Sequence, residues 1–135
     1  MRMTSRLAGG PLRFETEVRG HQIVADVPAS KGGADPAPMP PDLLAASLGA
    51  CVGIYAVNFC KKHDIATDGL VVHTDWEQES APARIARLAV QIEVPAGVPE
   101  EKRAAFMRTV EACLIHNTLR QTPQIEVMLA DTVQA

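Results

Sequence analysis

Apolar and polar positions alternate with period two from Leu12 through Phe14, Thr16 and Val18, which predicts a strand. The pair Arg19-Gly20 then reads as a tight hairpin turn, and the chain returns through Ile23, Ala25 and Val27. A shorter strand is expected over residues 3 to 8, with Gly9-Gly10-Pro11 as the turn behind it. Residues 28 to 41 are rich in Pro and Gly, and this loop is long for a compact domain, as functional loops often are. Periodicity changes at Pro41 or Asp42. From there to Lys62 or His63 a helix is expected, apolar nearly all round through Leu43, Leu48, Val52, Tyr55 and Phe59. Its start has proline and a carboxylate in the first turn. Ala45, Gly49 and Gly53 form a stripe of small residues along it, so another backbone can approach closely, either a sheet or a second subunit.

Two strands are expected next, over Gly69 to Glu77 and Ile85 to Val94. A second helix is expected from Pro99 to a point before Pro123, with Cys113 on its apolar face beside Phe106, Val110 and Leu114. A last strand should cover Gln124 to Ala130 through Ile125, Val127 and Leu129. The order predicts one α+β domain over residues 1–135 with a mostly antiparallel sheet. One small sheet does not cover a long helix that is apolar all round. Two subunits enclosing their central helices together would.

Composition narrows the function. The chain has 135 residues, 47% of them apolar, and a net charge of −3. Its basic residues are scattered, which argues against nucleic acid as a partner. The start lacks an apolar signal region. The apolar stretch Leu43 to Phe59 reads as short of a membrane span. The expected location is therefore cytoplasmic. In a reducing compartment the three cysteines are core filler, metal ligands or chemistry rather than a disulfide framework.

Each of these readings has candidates. Cys51 and Cys113 on apolar faces are ordinary small core residues by default. Cys60 follows Cys51 by nine residues, or two and a half helical turns, so the two face opposite sides of the helix. Cys60-Lys61-Lys62-His63 and Cys113-Leu114-Ile115-His116 are both Cys-x-x-His, enough together for a tetrahedral zinc site. Peroxide chemistry would instead need a thiolate held by a cation and a second thiol to resolve the sulfenic acid. Cys113 could be that second thiol if the helices cross, and Arg19 at the hairpin tip is a candidate cation. Phe14, Phe59, Trp76 and Phe106 are expected in the core, and His21 and His73 on the strands.

The run Gly32-Gly33-Ala34-Asp35-Pro36-Ala37-Pro38-Met39-Pro40-Pro41-Asp42-Leu43-Leu44-Ala45-Ala46-Ser47-Leu48-Gly49-Ala50-Cys51 resembles the first signature of the OsmC/Ohr family. Cys113-Leu114-Ile115-His116-Asn117-Thr118-Leu119 resembles the second, Cys-x-x-His-x-Thr-Leu. The resemblance implies an OsmC-like fold, with the sheet wrapped around the central helix in an intertwined homodimer. It implies a peroxidatic Cys51, a resolving Cys113 and Arg19 as the arginine that holds the thiolate. The implied reaction reduces an organic hydroperoxide through a Cys51–Cys113 disulfide, restored by a dithiol such as a lipoyl group, with no cofactor. The chain departs from the peroxidase branches at one place. Their glutamate directly follows the loop proline, whereas here Pro41 intervenes and the carboxylate arrives as Asp42. That shift is about 100° around a helix. A non-catalytic member that binds a small hydrophobic ligand or a thiol at the same place is the alternative.

Overall fold

The structure is a computed structural model that describes residues 1–131. Strands β1 (Thr4–Leu7), β2 (Phe14–Val18) and β3 (His21–Ala25) form an antiparallel three-stranded sheet. The turn between β2 and β3 puts Arg19 at φ +50° and Gly20 at φ +79°. Left-handed backbone at both central residues suits the twist of a tight hairpin.

The Pro/Gly segment after β3 is a closed loop rather than an open one. The amide of Asp26 donates to Pro38 O across 3.1 Å, and that of Asp35 to Val27 O across 3.2 Å. Asp26 is buried beneath it, its Oδ1 accepting from the Val27 amide at 2.7 Å.

Helix α1 runs Pro40–Lys62. Asp42 closes its first turn by accepting from the Met39 amide at 2.9 Å, a capping-box arrangement. Lys61 and Lys62 occupy its last turn, where cations suit the helix dipole. By length and composition α1 meets the criterion for a membrane span, which corrects the expectation that this stretch falls short. Its packing identifies it as the core helix. Leu48, Val52, Ala56, Phe59 and Cys60 are buried with Phe106 and Val110. Phe59 meets Phe106 edge to face with ring centroids 5.3 Å apart, a geometry worth about 1 kcal/mol beyond burial.

Strands β4 (Val71–Ser80) and β5 (Ala83–Glu93) form a separate antiparallel hairpin across α1. The small-residue stripe admits it. A Cβ built on Gly49 would stand 2.5 Å from Thr74 Oγ1, and one on Gly53 would stand 3.4 Å from Val72 Cγ2. The element facing the stripe is thus a sheet. Trp76 is half-buried, whereas Phe14 is exposed and not in the core, because the three-stranded sheet does not cover its own apolar positions.

Two expectations fail toward the C-terminus. The second helix is broken in two, α2 (Glu100–Glu111) and α3 (Leu114–Arg120), so Cys113 does not ride an apolar helix face. Gln124 to Ala130 forms no strand within the chain. Its apolar positions are open to solvent, with Val127 92% and Leu129 98% exposed. Alternation marks a segment able to pair, and among the described residues this one pairs with no strand.

Candidate functional site

Cys113 is the residue between α2 and α3. Its backbone is extended, with φ −64° and ψ 149°, as an N-cap requires. Its Sγ accepts from the His116 amide at 3.2 Å. The thiol thus stands where a serine hydroxyl commonly does. An N-terminal cap satisfies amides that have no partner within the helix. This local bond explains why the helix restarts here although the apolar spacing continues through it.

The Cys113 side chain is fully buried and faces Cys51, which is half-exposed on α1. All three cysteines are free thiols. Burial pushes the Cys113 thiol pKa up. Hydrogen bonding to Cys51 and the charge that Cys51 would carry push in the same direction, while the amides of His116 and Ile115 pull it down. Cys113 is therefore held as a neutral thiol against the more accessible Cys51. Cys60 is also fully buried, and its pKa is raised by burial. It packs in the core as an apolar residue.

Among the described residues, neither of the other predicted site residues, Arg19 and Asp42, forms a hydrogen bond or ion pair with Cys51 or Cys113. Arg19 is exposed at the β2–β3 turn, and among the described residues it forms no ion pair. Asp42 is engaged twice. Its Oδ2 accepts from the Met39 amide and its Oδ1 from Trp76 Nε1 at 3.0 Å. Its position one residue later than the familiar glutamate thus makes it a helix cap tied to β4. The Trp76 contact was not expected, since the sequence marks Trp76 only as apolar bulk.

The zinc alternative is not assembled. Among the described residues no three His, Cys, Asp or Glu side chains come together as metal ligands. His63 is stacked against Phe59, with ring centroids 4.2 Å apart. The spacing within each Cys-x-x-His pair assumes one continuous helix per pair, and the break at Cys113 removes that condition for the second.

A family model described as OsmC-like protein matches residues 32–128. The chain belongs to the OsmC-like family. Solved structures extend the match to the whole fold. A Psychrobacter arcticus 273-4 protein, named for an osmotic-stress-induced detoxification response, superposes with a TM-score of 0.78 at 20% identity, covering 86% of this chain and 85% of that one. An OsmC-like protein of Mycoplasma pneumoniae has a TM-score of 0.74 at 19% identity, over 90% and 87% of the two chains. An organic hydroperoxide resistance protein of Legionella pneumophila has a TM-score of 0.64 at 19% identity, over 89% and 90%. At these identities the structural likeness concerns the fold. No curated relative matches the chain. The α+β architecture, with a three-stranded antiparallel sheet, a two-stranded hairpin and a central helix, is thus the OsmC-like one. Both cysteine motifs fall within the matched segment.

Proposed function

We propose that this OsmC-like chain is a cysteine-based peroxidase that reduces organic hydroperoxides and acts as a homodimer. The observation that carries the reading is the contact between the Cys51 and Cys113 thiols, one accessible and one sealed. In the first step the Cys51 thiolate attacks the outer peroxide oxygen. The O–O bond breaks, the alcohol leaves with a proton, and Cys51 becomes a sulfenic acid. In the second step the Cys113 sulfur attacks the Cys51 sulfur, water leaves, and a disulfide forms. A dithiol, such as a reduced lipoyl group, then returns both thiols.

The electrostatics support this division of roles. A neutral sulfenic acid carries no charge, so oxidation of Cys51 removes one of the causes that keep Cys113 protonated. The resolving thiol becomes easier to ionise only once it is needed. Arg19 is the proposed cation for the Cys51 thiolate, and Asp42 its carboxylate partner through the lone pairs left over from Met39 and Trp76.

Several exposed apolar surfaces support the dimer. Ile54 on α1 is 61% exposed, and Leu44 in the first turns of the same helix is also open. Phe14 and Ile23 of the three-stranded sheet and Ile125, Val127 and Leu129 of the C-terminal segment are uncovered as well. These exposed apolar side chains on three parts of the chain offer surface that a second copy would cover. Three free thiols fit a reducing, cytoplasmic setting.

A second reading, non-catalytic binding of a small hydrophobic ligand or thiol at the same place, is favoured by one observation. Asp42 is already committed to Met39 and Trp76 and is less free to hold Arg19. Consumption of cumene hydroperoxide with dihydrolipoamide separates the two. Turnover that is lost in Cys51→Ser is expected of the peroxidase. Equal turnover in that variant contradicts it, and no turnover in the parent protein favours the binding reading.

A further inference from the structure

Beside the thiol pair, on the flank of α1 that faces β5, lies a half-open cavity of about 270 Å³ lined by Leu48, Val52, Val90, Val110 and Leu119. Neither Cys51 nor Cys113 lines it. It adjoins a polar surface groove between α2 and α3, and Glu111, His116 and Arg120 line both. These residues form the rim where apolar interior meets polar surface.

Two features of that rim are unsatisfied. The His116 ring Nδ1 is shut off from solvent and has no hydrogen-bond partner. Leaving a buried nitrogen unpaired costs about 1–3 kcal/mol, so a ligand atom that pairs with it gains that much in place of a neutral contact. Arg120 and Arg108 both line the groove and form no ion pair among the described residues. Glu111 is the one carboxylate in that lining. In the groove two guanidinium groups face one carboxylate, whereas at the shared rim Arg120 offsets Glu111 before the imidazole is counted. An anion entering there would be paired, whereas a second cation would be repelled.

We propose that this cavity binds a small amphipathic carboxylate. Its hydrocarbon chain lies against Leu48, Val90 and Leu119, and its carboxylate accepts from the His116 ring N–H and the Arg120 guanidinium. Apolar burial supplies affinity and the rim supplies the choice of head group. The site is separate from the thiol chemistry and needs neither an oxidant nor the Cys51 thiolate.

Sodium octanoate, titrated calorimetrically into the reduced full-length protein, is the test, with octylammonium chloride and 1-octanol as probes of matched chain length. Octanoate is expected to saturate a site and to bind roughly tenfold more tightly than octylammonium. Arg120→Gln, on the protein surface, should weaken octanoate roughly fivefold and leave octanol unchanged. Val90→Trp, which fills the cavity, should abolish binding of every probe, and Cys51→Ser should retain octanoate. Absence of saturable octanoate binding at millimolar concentration overturns the proposal. So does equal affinity for octylammonium, or an unchanged octanoate affinity in Arg120→Gln. A result of this kind leaves the peroxidase reading untouched, because the two are read in different assays on different residues.

Discussion

The sulfur of Cys113 accepts a hydrogen bond from the backbone amide of His116 across 3.2 Å while also facing the thiol of Cys51. One atom therefore caps a helix and belongs to the proposed thiol pair. Helix α3 is only seven residues long, so it depends on its cap and on packing rather than on its own propagation.

Oxidation should consequently loosen α3. A sulfur bonded to Cys51 is directed toward that partner and is a poorer acceptor for the His116 amide. An N-cap is typically worth about 1 kcal/mol, so hydrogen exchange at His116, Asn117 and Thr118 should be roughly fivefold faster in the disulfide form. Cys113→Ser, which keeps an acceptor at the cap, should exchange like the reduced protein. Cys113→Ala should exchange like the oxidised one.

Alkaline pH should destabilise the fold. The pKa values of Cys113 and Cys60 are raised above the ordinary value of 9.0, both chiefly by burial. In the unfolded chain these thiols ionise first, so above that value the unfolded state holds fewer protons than the native one and stability falls as pH rises. The contribution is fully present below about pH 9 and is lost as pH climbs toward the folded-state values. Urea unfolding of the reduced protein should thus show a lower midpoint at pH 10 than at pH 8. Replacing Cys60 with Ala should shrink that difference.

The approach of β4 to α1 should be sensitive to one added methyl group. Gly49→Ala puts a Cβ 2.5 Å from Thr74 Oγ1, so either the Thr74 side chain must leave its rotamer or strand and helix must move apart. A loss of about 2 kcal/mol is expected in chemical denaturation. Thr74→Ala removes the obstructing oxygen, and the double variant should recover much of the loss.

Most of the fold was legible in the sequence because burial and periodicity decide it. Pro41 and Asp42 announced α1, and the turn at Arg19-Gly20 separated β2 from β3. The stripe at Ala45, Gly49 and Gly53 announced a close approach. Three features were not legible. The break at Cys113 rests on a thiol acting as an N-cap, a role for which Ser, Thr, Asp and Asn are the usual signals. The bond between Trp76 and Asp42 joins residues 34 positions apart, which no local pattern encodes. The alternation from Gln124 to Ala130 reports a capacity to pair, not the presence of an edge. At the site, periodicity alone left Cys51 and Cys113 as core residues, and the resemblance paired them. Their contact depended on how the chain between them packs.

The thiol pair is tested by adding one equivalent of cumene hydroperoxide to the reduced protein, without reductant, and mapping the cysteine peptides by mass spectrometry. A Cys51–Cys113 disulfide with Cys60 still free is expected, together with a Cys51 sulfenic acid that accumulates in Cys113→Ser. Recovery of unreacted Cys51, or its oxidation with no linkage to Cys113, would contradict the proposed chemistry.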